Sequence, residues 1–433
     1  MRCKLCFLLF SLTVPGFGGY LQLNGTALDT SRFNVTPFSV TLPGPLGMVQ
    51  LSDGSFAVAA YYPGIVRLTD ADHNGVADNI GTRLFAAPGA HTGLVQAGNY
   101  YIDGNFGDYQ NGHFDGQVMT VLKPGANPSD QWTPVGALKL DFPAGWEHSQ
   151  LGIATRPTPG HAGSYDLVFN IGSEFDRQAS TDKVALTGGL ISGTLDGDSL
   201  YAVTLDLSGQ TPVASDLRKV ASGIRNVIGM GFQPGTGDFY FGDNAIDGTG
   251  PLGDEPPQAE EINRITAADF NSRVVPNFGY PDCYTQYRTG AAIGSGCVNP
   301  FFAIQPIANG TPLGSESEGI TQIAFAPSGF PSGFNNGIFI GFSGKGSTGA
   351  ADEENAVGYY DFGTGNYLHF SENSEDGVYQ PIGIMATANA LFIADYGAGI
   401  VYEVTAAAVP EPSSFGTAFF SLLAALVIFR RRA

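Results

Sequence analysis

The chain has 433 residues, and its 20 lysines and arginines against 40 aspartates and glutamates give a formal charge of −20. That balance argues against nucleic acid or an anionic membrane surface as a partner, because both demand a basic face. With 60 glycines, 31 phenylalanines and 18 tyrosines, the composition favours many short strands and tight turns over long helices. The first element is a leader: Arg2 and Lys4 precede an apolar run from Leu5 to Val14, then Gly16, Gly18 and Gly19. This is the order of a secretory signal peptide, so residues 1–19 are set apart from the fold. Cys3 and Cys6 leave with it, and Cys283 and Cys297 remain in an exported chain, where a disulfide is expected.

Next comes "DADHNGVAD", which places Asp70, Asp72, Asn74 and Asp78 in the D-x-D-x-N-G order of a calcium loop, with Gly75 at the sharp turn. The twelfth position, where a full loop of this kind has a bidentate glutamate, is Gly81, and the flanking "IVRL" reads as strand. The expectation is a structural calcium site; a solvated acidic hairpin tip is the alternative.

Six segments then share one pattern, in which a turn leads into an aromatic or β-branched run. They are "GSFAVAA", "GNYYIDG", "SYDLVFNIG", "GDFYFGD", "GIFIGFS" and "ALFIADYG". Each follows another apolar run: "LGMVQL", "TGLVQA", "LGIATR", "IGMGFQ", "TQIAFA" and "IGIMAT". A lone hairpin buries little, and sheets repeated around an axis solve that problem. Residues 20–408 are therefore expected to form an all-β, six-bladed β-propeller with long loop insertions. Aligned on the glycine of "LG" or its equivalent, the residues four positions earlier are Pro43, Gly89, His148, Arg225, Glu318 and Tyr379, with His91 and Gln380 close behind. If the first strand of each blade lines a channel, these polar groups converge on its mouth, the default place for a site. Each could instead cap its own blade.

The acidic or Gly/Pro-rich runs "EFDRQASTDK", "DGTGPLGDEPPQAEE" and "GAADEEN" read as solvated loops. No G-x-S-x-G elbow, H-E-x-x-H pair, P-loop or dinucleotide fingerprint occurs, so hydrolase, zincin and nucleotide-enzyme readings have no local support.

The last element is "VPEPSSFGTAFFSLLAALVIFRRRA", residues 409–433: Pro-Glu-Pro, an apolar span from Phe415 to Phe429, then Arg430 to Arg432. The span is short for a stable bilayer crossing, which takes about 20 residues, and the arginines would stay cytoplasmic. The order resembles the PEP-CTERM sorting signal of Gram-negative bacteria. That resemblance implies export, a transient hold in the inner membrane by a short transmembrane segment, recognition by an exosortase, and delivery to the cell surface or extracellular matrix.

From Trp146 to Val404 the body resembles the soluble glucose/sorbosone dehydrogenase family. The segments that carry the likeness are "HSQLGIATRP", "GIRNVIGMGFQPGTGDFYFGDN", "EEINRITAADF", "NFGYPD", "FPSGFNNGIFIGF" and "ALFIADYGAGIVYEV". Members are six-bladed propellers that oxidise sugars with pyrroloquinoline quinone (PQQ) and calcium. The resemblance implies His148 as general base, oriented by Glu147 or Asp166. It implies Arg225, Asn226 and Lys345 as holders of the quinone, and the carbonyls of Asn244 and Ala245 as calcium ligands. An imidazole suits the base, and a guanidinium suits a planar bidentate contact. Two departures keep a second reading open: Val227-Ile228 stands where the family has Pro-Gln, and "YQPIGIMATANAL" lacks the family's last-blade arginines. The second reading is a non-catalytic propeller that binds carbohydrate or another component of the matrix.

Overall fold

The computed structural model describes residues 21–39, 42–61, 64–86, 91–106, 109–110, 113–114, 116–246, 258–307, 319–343, 356–372 and 380–408. The expected leader and sorting tail, and Lys345, Gly89, Glu318 and Tyr379, lie outside them. Six antiparallel sheets stand around one axis. Their innermost strands are Pro45–Gln50, His91–Ala97, Ile153–Pro157, Met230–Phe232, Ile320–Phe325 and Pro381–Ala386. Each touches the next, and the sixth touches the first. The second strands are Phe56–Ala60, Tyr100–Phe106, Ser164–Ile171, Phe239–Asp243, Gly337–Phe342 and Ala390–Asp395. All twelve coincide with the twelve apolar runs of the sequence, so the six-bladed propeller is the observed fold.

The conspicuous glycine of the first runs has a steric cause. A Cβ on Gly152 would sit 2.3 Å from the Ile228 carbonyl of the next blade, and one on Gly383 would sit 1.7 Å from that of Leu46. Only a residue without a side chain lets adjacent inner strands approach so closely. At the equivalent place in blade 5 stands Gln322, which crosses the same gap by accepting a hydrogen bond from Ile384 N at 3.0 Å. The inner strands enclose a channel cavity of about 130 Å³, lined by Met48, Leu94, Ile153, Ile228 and Ile384 among others.

Between blades, apolar side chains of facing sheets interlock. Ile102 and Leu140 of blade 2 meet Leu167 and Phe169 of blade 3, and Phe339 and Tyr359 of blade 5 meet Leu391 and Tyr402 of blade 6. Full burial of side chains this size stabilises by roughly 1.5–3 kcal/mol apiece. Blade 6 takes its outermost strand from the other end of the chain: Phe33–Ser39 pairs antiparallel with Ile400–Ala406 and closes the ring.

Two insertions depart from the four-stranded pattern. Between the second and third strands of blade 3, the hairpin Lys183–Thr187 with Gly193–Asp196 pairs with Thr133–Asp141 and widens blade 2 to six strands. In blade 4, residues 266–301 carry the short helix Ala267–Ser272 and the Cys283–Cys297 disulfide before the brief outer strand Phe302–Ala303. The face where inner strands begin is called upper below, and the face carrying the turns into the second strands lower.

Candidate functional site at the channel mouth

Inner strands start on the upper face, and their lead-in segments are held by the ends of the second strands. Asn170 Oδ1 accepts from Gly152 N at 2.7 Å in blade 3. Asp243 accepts from Arg225 N at 3.0 Å and Asn226 N at 2.8 Å in blade 4. Asp395 accepts from Gln380 N at 3.1 Å in blade 6. In blade 2 an acid further inside the second strand, Asp103, takes the imidazole of His91, Nδ1 to Oδ2 2.8 Å, and both side chains are fully buried. His91 is therefore a packed strut under its lead-in, and burial pushes the Asp103 carboxyl above its ordinary range against the pull of His91. Pro43 is exposed.

His148 and Arg225 come together. Gly172 separates them: a Cβ there would lie 2.3 Å from the His148 carbonyl and 3.0 Å from that of Arg225. Ser173 N donates to Arg225 O at 2.7 Å, and His148 N donates to Ser173 O at 3.1 Å. The His148 Nδ1 lies 3.1 Å from Ser173 O and 2.8 Å from Ser173 Oγ. A carbonyl can only accept, and the Ser173 hydroxyl already donates to Phe175 O at 2.6 Å. Nδ1 must therefore carry the proton, which leaves the Nε2 lone pair free to accept one. Burial, and then the Arg225 charge, bring the His148 pKa down to about 3. Glu147 is exposed and Asp166 is bound to Arg156 and Arg218, so neither orients this ring; Ser173 does.

Arg225 is 2% exposed. Its Nε donates to Asp176 Oδ1 at 3.1 Å, its Nη2 reaches the same oxygen, and its Nη1 lies 3.4 Å from the Asn244 carbonyl. Asn226 keeps a buried Oδ1 with no partner among the described residues. Tyr280, delivered by the blade 4 insertion, donates to Phe175 O at 2.6 Å, and burial pushes its hydroxyl up to about 12. Behind Arg225 are carboxyls that composition had assigned to a solvated run. Glu260 and Glu261 are buried, as is Asp243. Burial raises Glu260 to about 8, although Ala245 N (3.2 Å) and Gly319 N (3.4 Å) donate to it. Glu261 is raised to about 7 and Asp243 to about 6 by the same cause.

Ser173, Asp176, Asp243, Glu260 and Tyr280 were not anticipated from the sequence. The recurring Asp or Asn in "YID", "VFN", "GD" and "AD" was a signal that could have found the lead-in anchors. Nothing local foretold that "EFDRQASTDK" would hand Asp176 to Arg225.

No family model matches the chain, and no curated protein does. Solved structures do. The calcium structure of the Trichoderma reesei carbohydrate-active enzyme of family AA12 superposes with a TM-score of 0.58 at 16% identity, covering 87% of this chain and 96% of that one. The holo PQQ domain of Coprinopsis cinerea pyranose dehydrogenase gives 0.56 at 13%, covering 86% and 95%. A crystal structure of a glucose dehydrogenase gives 0.53 at 11%, covering 87% and 100%. The fold is that of the sugar dehydrogenase propellers.

The described residues do not suit PQQ itself, whose three carboxylates need several cations. Arg225 is closed by Asp176, and three buried carboxyls stand behind it. The Asn244 carbonyl lies 3.4 Å from Arg225 Nη1, and Ala245 N donates to Glu260. The Asp70 loop is different. Asp70, Asp72 and Asp78 each bring a carboxylate oxygen within 4.8 Å of the others, a donor set of the hard oxygen kind calcium prefers. Asn74 Oδ1 accepts from Val76 N at 2.8 Å, and its amide donates to Asp72 Oδ2 at 2.9 Å.

Proposed function

We propose that this chain is an exported propeller, held at the cell surface by its sorting tail, whose channel mouth binds a sugar through the His148–Arg225 pair. One observation carries this reading: the tautomer imposed by Ser173 leaves His148 Nε2 as an acceptor for a ligand hydroxyl, in a fold shared with the PQQ domain of a pyranose dehydrogenase. His148 would receive the hydroxyl hydrogen bond. Asp176 and Arg225 together form a neutral, rigid wall of donors and acceptors, and Tyr280 fixes the loop that presents them. Calcium in the Asp70 loop would be structural, held by Asp70, Asp72 and Asp78 and remote from the sugar. The sorting tail implies an exosortase as partner and an extracellular polysaccharide as the natural source of sugar.

The test is titration of the full-length protein with glucose, and separately with PQQ in excess calcium. Saturable glucose binding from which His148→Ala removes one component, with no PQQ complex up to about 100 μM (roughly −5.5 kcal/mol of binding), is the expected result. A saturable PQQ complex that is reduced on adding an aldose would overturn it. The chain would then be a PQQ-dependent, calcium-requiring sugar dehydrogenase with His148 as general base, the chemistry of the quinone being the cofactor's own.

A further inference from the structure

A second cleft lies away from the channel mouth. It opens on the lower face at the seam where blade 1 meets blade 6, and its volume is about 280 Å³, at the small end of ligand clefts. Three phenylalanines form its floor: Phe56 and Phe392 are 4.6 Å apart between ring centroids, and Phe38 sits edge-on to both at 5.2 and 5.3 Å. The rim is polar and largely unsatisfied. The side chains of Gln50, His73, Glu403 and Thr405 border the cleft and make no hydrogen bond or ion pair among the described residues. Glu403 is half-buried, and this costs a carboxylate unless something donates to it. Arg67, the one guanidinium of the lining, is already satisfied, with Nε donating to Ser55 Oγ at 2.9 Å and Nη2 to Asp53.

We propose that this seam cleft is a second binding site, specific for a neutral saccharide. The rim mixes an amide, an imidazole, a hydroxyl and a carboxylate, which match the alternating donors and acceptors of adjacent sugar hydroxyls. The phenylalanine floor is nearly buried, Phe56 being 7% exposed, and meets the sugar's C–H face only at its ring edges. An anionic ligand is disfavoured, because Asp53 neutralises Arg67 while Glu403 repels negative charge. The site is distinct from the mouth, on the opposite face of the ring. With both occupied, one molecule would join two sugar segments, and avidity would follow from linkage alone.

The experiment is calorimetric titration of the full-length protein with maltose, with cellobiose and, as an anionic control, with digalacturonate. The variants are His148→Ala and a rim variant, Gln50→Ala with Glu403→Gln, both rim positions being solvent-accessible and an unchanged Tm certifying the fold. The expected result is that a neutral disaccharide binds His148→Ala saturably, that the rim variant weakens this component at least tenfold, and that digalacturonate does not bind. The proposal is overturned if His148→Ala abolishes all disaccharide binding, or if the rim variant binds as the wild type does. Survival of all wild-type binding in His148→Ala would instead sink the channel-mouth reading and leave the seam site standing.

Discussion

Blades 2 and 3 each place a histidine on the lead-in to an inner strand, and the two have opposite fates. His91 meets Asp103 within its own second strand, and both side chains are fully buried. His148 meets the carbonyl and hydroxyl of Ser173 instead, while Asn170 of its second strand spends its amide on Gly152 N and the Gln150 carbonyl. An acid under the ring makes a strut. A carbonyl under the ring fixes a tautomer and leaves the far nitrogen for a ligand.

The comparison can be broken most forcefully from the blade 2 side. Asp103→Ala removes the buried acceptor of His91 Nδ1 and is expected to cost about 3–5 kcal/mol, read as a fall in denaturation midpoint with unchanged slope. A loss below about 1 kcal/mol would show that the strut is dispensable. A second, smaller effect separates the mouth from the rest of the ring by pH. Glu260, Glu261 and Asp243 have folded pKa values raised to about 8, 7 and 6, so the folded state binds more protons than the unfolded chain. Their contribution is complete below about pH 4, the unfolded carboxyl range, and is lost as pH rises through 6 to 8. His148, depressed to about 3, acts oppositely: its contribution is complete above the unfolded value near 6.5 and is lost as pH falls towards 3. Three groups outweigh one, so Tm should fall between pH 5.5 and 8.5, and Glu260→Gln should flatten that slope. A slope unchanged in the variant would remove Glu260 from the account. The gentlest test is Ser173→Ala, which deletes the hydroxyl but keeps the carbonyl. It should cost about 1 kcal/mol, and histidine ¹⁵N shifts should still report a proton on Nδ1. A switch of the proton to Nε2 would mean that the hydroxyl, and not the carbonyl, sets the tautomer.

The ring was legible in the sequence because its two inner strands per blade are nearly all apolar, and because close approach of neighbouring strands forces glycine at 47, 93, 152, 229 and 383. His148 and Arg225 were found by that same register. What escaped was whatever depends on a partner distant in sequence. A glutamate pair in a Pro-rich run looks solvated until blade 4 folds it inward, as with Glu260 and Glu261. The Lys183–Thr187 hairpin carries no mark saying that it will extend a neighbouring blade.

The closing strand also has a mechanical meaning. Ile400–Ala406 lies between Ala390–Asp395 on one side and Phe33–Ser39 on the other, and Ala407 N still bonds to the Arg32 carbonyl. A tether attached just beyond it would pull along the strand axis. Ladder bonds run perpendicular to that axis, so the load would be shared in shear by two rows at once instead of unzipping one bond at a time. A molecule anchored by this end would resist being dragged open by whatever it grips.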